Sequence, residues 1–237
     1  MSTMSKKIGK ALAVSAIGLA MAHGAVAATV TFQQVDGYFS GKAGEFTAQH
    51  TPFVGNYAAS ATATLNGTIG FQTFCLELNE IMRLNRAYDY TVDMAAIEGG
   101  VSGGNPDPLS LGSAWLYSEF AAGTLAGYEY APGAGRELAA GQLQDAFWWL
   151  EDEITLADPN ANMFLAAAFA QFGDQTAAKA DATAGAYNVW VMNPTDNGEP
   201  RQSVLVIRVP DGGLTLGLLG LSLAGIARLR KRFSTAG

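Results

Sequence analysis

The chain has 237 residues, a net charge of −7, 49% hydrophobic residues, a single cysteine and two histidines. Residues 28–213 hold seven basic and all 21 acidic residues, a net of −14, which argues against nucleic acid and anionic lipid as partners. His50 is the only histidine in that span, which excludes a His-rich zinc site or a zincin motif. No acidic loop has EF-hand spacing, and neither a metal nor a cofactor is expected.

Lys6, Lys7 and Lys10 precede an apolar run over residues 11–21, followed by the small-residue stretch AHGAVAA before Thr29. This is the layout of a secretory signal peptide, residues 1–28, cleaved by signal peptidase after Ala27 or Ala28. The apolar run is too short for a spanning helix. From Thr29 to about Glu80 the chain reads as β structure. TVTFQQV alternates apolar and polar residues, and ATATLNGTIGFQTFCLEL sets Asn66 and Gly67 between two β-prone runs as a hairpin turn. Cys75 therefore falls on, or at the end of, the strand after the turn. An unpaired thiol in an exported chain is a reactive group, half of an intermolecular bridge, or a small buried hydrophobe.

After the loop EGGVSGGNPDP, the segments LSLGSAWLYSEFAAGTLAG, GRELAAGQLQDAFWWLEDEI and NMFLAAAFAQFGDQTAAKA carry apolar residues at helical spacing. They predict three helices, with Asp158 or Asn160 capping the third. YNVWVMN and RQSVLVIRV, joined by PTDNGEP, then predict a closing pair of strands. The order predicts one α+β domain over residues 29–208: N-terminal antiparallel strands, a central helical segment and a C-terminal β-hairpin. On the second helix Leu143, Ala146, Phe147 and Leu150 form a stripe for the sheet. Gln144 sits at its edge on the face of Ala140 and Trp148, where a glutamine needs hydrogen-bond partners.

The chain closes with VPDGG, the apolar run LTLGLLGLSLAGIA and the basic tail RLRKRFSTAG. With its flanking glycines the run reaches about 18 residues, roughly 27 Å, just enough for a single C-terminal hydrophobic helix across a bilayer. Arg228, Arg230, Lys231 and Arg232 would hold its end on the cytoplasmic side. Motif, helix and tail, residues 209–237, resemble the PEP-CTERM class of sorting signals in its VPDSG/VPDGG variant. The resemblance implies that a membrane-embedded cysteine transpeptidase, an exosortase of Gram-negative bacteria that make extracellular polysaccharide, reads Val209, Pro210, Asp211, Gly212 and Gly213. The protein would be anchored in the inner membrane only transiently, then lie on the cell surface or in the extracellular matrix. A permanent single-span anchor preceded by a Pro-Asp-Gly-Gly turn is the other reading of the same residues.

FCLEL and the downstream LQDAFWWLED resemble the motif pair of bacterial surface thioester domains. Phe74 and Cys75 match the first motif; Gln144, Ala146, Phe147 and Trp148 match the second. Leu143 stands where that family usually has threonine, and Leu76 where tyrosine is common. The resemblance implies an internal thioester between the Cys75 sulfur and the Gln144 side-chain carbonyl, with Phe147, Trp148 and Trp149 shielding it from water. The implied role is one-shot covalent adhesion to an amine or hydroxyl nucleophile, for instance on extracellular polysaccharide. No turnover and no catalytic residue are expected. The alternative is a structural or carbohydrate-binding matrix protein without a thioester. In it Cys75 is inert, Gln144 bonds a strand edge, and Trp115 or Tyr128 stacks on sugar rings. A hydrolase pairing Cys75 with His50 is the remaining option, although AQHTPFVG reads as a surface loop around that histidine.

Overall fold

The computed structural model describes residues 28–41, 44–50 and 55–208. The expected signal peptide up to residue 27, the expected sorting motif from Val209 to Gly213, the apolar run and the basic tail lie outside the described residues. No described helix is long and apolar enough to cross a membrane.

Strands β1 (Thr29–Gln33), β2 (Gly44–His50), β3 (Thr62–Leu65), β4 (Thr68–Phe74) and β5 (Ala87–Asp93) come first. Two short pieces, β6 (Ala95–Ala96) and β7 (Asp107–Pro108), pair with each other, and β8 (Val189–Asp196), β9 (Glu199–Pro200) and β10 (Val204–Ile207) close the domain. Every strand pair is antiparallel, in the order β10-β8-β5-β1-β2-β4-β3 with β9 on β8. The β3–β4 turn is the expected one: Leu65 pairs with Thr68, and Asn66 and Gly67 both have positive φ, 50° and 77°, as a two-residue hairpin turn requires. Strand β5 extends the N-terminal β region beyond Glu80. Its Tyr88, Tyr90 and Val92 alternate inward and place it between β1 and β8.

The sheet curls until β10 meets the chain just past β4. Cys75, just past β4, forms a bridge with Val204 of β10. Leu76 N–H donates to the Ser203 carbonyl (3.0 Å), and the Thr73 hydroxyl to the Leu205 carbonyl (2.6 Å). The curl encloses one apolar core, containing Phe32, Phe46, Phe71, Cys75, Tyr88 and Val204. The opposite faces of β4, β8 and β10 supply Phe74, Val191 and Leu205 to a second core beneath the helices. Strand alternation thus sends Cys75 and Phe74 to different cores.

The helical layer comprises α1 (Leu111–Ala121), α2 (Ala134–Leu150), α3 (Met163–Phe172) and the short α4 (Gln175–Ala178). Gly173, with φ of 98°, ends α3, so the third expected helical segment is two helices. Its cap is Asn162, whose side chain accepts from Phe164 and Leu165 N–H, while Asp158 caps only the preceding turn at Asn160. Asp158 and Asn160 are therefore not the caps of α3. The stripe Leu143, Ala146, Phe147 and Leu150 is buried as expected. Phe147 lies 5.2 Å from the Phe74 ring, centroid to centroid, and burying one such side chain contributes about 1.5–3 kcal/mol.

Candidate functional site at the barrel seam

Pairing between β2 and β4 ends at Gly44 and Phe74. One residue further, the seam with β10 runs its hydrogen bonds through the neighbours of Cys75, as in a non-hydrogen-bonded antiparallel pair. Cys75 N–H and C=O therefore face the side that β2 has vacated. The Gln144 carboxamide occupies that side as a one-residue surrogate strand. Cys75 N–H donates to Gln144 Oε1 (3.0 Å), and Gln144 Nε2 donates to the Cys75 carbonyl (2.8 Å). Gln144 is 0% exposed and Cys75 3%. Gly44 makes room for this contact: a Cβ there would lie 2.5 Å from Phe74 Cδ1 and 3.0 Å from Gln144 Oε1.

The residues after Cys75 are held one by one. Leu76 N–H is taken by Ser203, and Glu77 Oε2 accepts from Ser203 N–H and Gln202 Nε2, both at 3.1 Å. Leu78 N–H donates to Glu153 Oε2 at 2.6 Å, and the same carboxylate accepts from Val101 N–H at 2.8 Å. Glu153 follows α2, so one helix grips the segment through both Gln144 and the residues beyond its C-terminus.

Beside this contact lies a cavity of about 580 Å³, lined by Cys75, Phe46, Leu78, Glu80, Ile81 and Trp148 among others. Three buried polar atoms in this neighbourhood have no hydrogen-bond partner: Glu77 Oε1, Glu80 Oε2 and Trp148 Nε1. Burial, reinforced by Glu77 and Glu80, pushes the Cys75 thiol well above its ordinary range. Burial, then the charge of Glu80, raises Glu77 to about 9. Burial, then Glu98, raises Glu80 to about 7. The sulfur is thus held as a neutral thiol, and Glu80 can accept or give a proton near neutrality.

The arrangement has the parts for acyl chemistry at Gln144 Cδ. Cys75 N–H already donates to the oxygen that would carry negative charge in a tetrahedral intermediate, and Nε2, the leaving nitrogen, is oriented by the Cys75 carbonyl.

The other residues singled out in the sequence separate into groups. Trp148, one turn from Gln144, lines the cavity, and Phe147 backs Phe74 from the helical side. Trp149 turns away: it packs on Phe169 (5.3 Å between centroids) and under the Lys179 ammonium, so only Phe147 and Trp148 border the Cys75 segment. His50 is not in a loop. It is buried at the end of β2 opposite Gly44, its ring 5.3 Å from that of Tyr90. By strand rise it lies about 20 Å from the Gly44 end, too far to pair with Cys75. Tyr128 is buried, its hydroxyl given to Glu45, and half-buried Trp115 packs edge-on against Phe172. Neither presents a free stacking face. Among the described residues, no group of three His, Cys, Asp or Glu side chains is placed to hold a metal.

Sequence reasoning missed Glu77, Glu80, Gln202 and Glu153. Glu77 stood inside FCLEL and Glu153 just after the tryptophans, but burial of a carboxylate is set by strands distant in sequence, and no local pattern announces it. In comparisons with known proteins, no family model, no curated protein and no solved structure matches this chain.

Proposed function

We propose that this chain is an exported surface or matrix protein whose domain forms an internal thioester between Cys75 Sγ and Gln144 Cδ and spends it once, in covalent attachment. One observation carries the reading: a buried carboxamide, remote in sequence, is held against the backbone of the only cysteine by two hydrogen bonds beside a cavity. Bond formation joins Sγ to Cδ, releases Nε2 as ammonia and passes the thiol proton to the leaving nitrogen. Proximity supplies the effective concentration that a neutral thiol lacks in solution. The raised thiol makes sulfur a reluctant leaving group, and this, with Trp148 and Phe147 as cover, protects the bond from water until an acceptor enters.

Export and sorting rest on the two ends of the chain: a signal peptide removed by signal peptidase, and Val209 to Gly213 with the basic tail as an exosortase signal. Intact mass tests the domain. The mature protein should weigh one ammonia less than its sequence, and Cys75→Ala should restore the full mass.

The satisfied state of the Gln144 amide favours a second reading, in which Gln144 only completes the sheet and the module binds non-covalently. A native protein of full sequence mass would select it.

A further inference from the structure

We infer that the cavity at Cys75 is built for a hydroxyl acceptor, a polyol or carbohydrate oxygen, with Glu80 as the base that takes its proton. This rests on the thioester reading and names the acceptor class for it. Trp148 is 7% exposed and its Nε1 is a donor with no acceptor; Glu80 Oε2 is an acceptor with no donor; both side chains line the cavity. A hydroxyl donates one hydrogen bond and accepts others, so it can satisfy both atoms. An ammonium can satisfy only the carboxylate, and an apolar group neither. Gln34 also lines the cavity and offers a further partner for the neighbouring hydroxyls of a polyol.

Charge points the same way. A carboxylate beside an entering amine favours its protonated form, which has no lone pair for attack. A hydroxyl enters neutral and needs a base, which a carboxylate titrating near neutrality can supply. Glu98 and Glu153 act on Glu80 electrostatically, Glu98 and the Ser203 backbone also through hydrogen bonds, and Glu80 in turn acts on Glu77; Arg83, Arg201 and Asp196 line the adjoining cavity with it.

The step balances. The hydroxyl proton passes to Glu80, its oxygen bonds Gln144 Cδ, and the carbon–sulfur bond breaks. The sulfur recovers the proton from Glu80 and leaves as a neutral thiol, regenerating the carboxylate and leaving an ester on Gln144.

The test is intact mass of the exported protein after incubation at pH 7 with glycerol or methyl glucoside, and separately with methylamine at equal concentration. The expected result is a polyol adduct, removed by hydroxylamine, that forms faster than the amine adduct, with a rate that rises as pH increases through about 7. Glu80→Gln should lower the polyol rate relative to the amine rate about 100-fold, while the untreated variant keeps its ammonia deficit. Trp148→Phe, which retains the ring and deletes Nε1, should lower the same ratio. An amine adduct that dominates in the wild type, or a ratio unchanged in both variants, overturns the inference. A wild-type protein of full sequence mass is a different failure: it removes the thioester itself, and this inference with it.

Discussion

Helix α2 is joined to the sheet by two buried polar contacts, and they are finished to different degrees. At its first turns Arg136 forms a two-pronged pair with Glu45 of β2, Nε and Nη2 each 2.8 Å from a carboxylate oxygen. Nη2 also reaches the Ser60 carbonyl at 2.9 Å, Tyr128 donates its hydroxyl to Glu45, and the guanidinium lies 3.9 Å over the Tyr38 ring. Both charged side chains are essentially inaccessible, at 1% and 0% exposed. Two turns later Gln144 holds Cys75, and around it Glu77, Glu80 and Trp148 each keep a buried atom without a partner. A buried polar atom left unpaired costs about 1–3 kcal/mol. One joint is fully satisfied, while three of the five unpartnered buried side-chain atoms among the described residues lie around the other; His50 Nδ1 and Ser113 Oγ are elsewhere.

The largest effect should come from breaking the finished joint. Arg136→Met leaves Glu45 buried and uncompensated, and about 3–5 kcal/mol of stability should be lost in denaturant unfolding. Pairing it with Glu45→Leu should recover much of that loss, because an ion pair replaced as a unit strands no charge. Gln144→Leu should rank next. It orphans Cys75 N–H and C=O, but both groups are neutral and lie beside a cavity that can admit water, so each should cost only about 1 kcal/mol, the low end for an unpaired group, and the change should abolish any ammonia deficit. A loss at Arg136 no larger than that at Gln144 would erase the distinction between the two joints.

What could be read from the sequence follows the same divide. The Asn66-Gly67 hairpin and the Leu143, Ala146, Phe147, Leu150 stripe are local patterns, and both form as expected. Strand β5 carried the same kind of local signal, Tyr88, Tyr90 and Val92 alternating with Asp89, Thr91 and Asp93, although the expected β region stopped at about Glu80. The meeting of Cys75 with Gln144 came from a motif resemblance, since no periodicity connects two residues that a curled sheet and a helix bring together. Glu45 with Arg136, and Glu77 with Gln202, had no signal at all. A buried carboxylate and a solvated one look alike until the chain closes over them.

The unfinished joint should also leave a pH signature. Glu77, raised to about 9 by burial and Glu80, binds its proton more tightly folded than unfolded. Its contribution to stability is therefore complete below the ordinary glutamate range and declines as pH rises toward about 9. Glu80 and Glu151, each raised to about 7 chiefly by burial, act with the same sign over a narrower window. Denaturation midpoints should fall between about pH 5 and pH 9, and Glu77→Gln should flatten the upper part of that slope. A midpoint that climbs over this range would mean that these carboxyls are ionised and paired in the native protein.

The smallest expected change on stability is the sharpest comparison. Trp148→Phe keeps an aromatic ring beside Cys75 and removes a buried donor that has no acceptor. Removing a partner from a satisfied pair leaves an orphan behind, whereas removing an orphan leaves nothing unpaired. The lost packing of the larger ring and the relieved desolvation of Nε1 oppose each other, so the net change should lie within about 1 kcal/mol and could fall on the stabilising side. A loss of about 3 kcal/mol or more, as expected for emptying a well-packed core site, would show that Trp148 acts as core and that its unpaired nitrogen is incidental to the cavity.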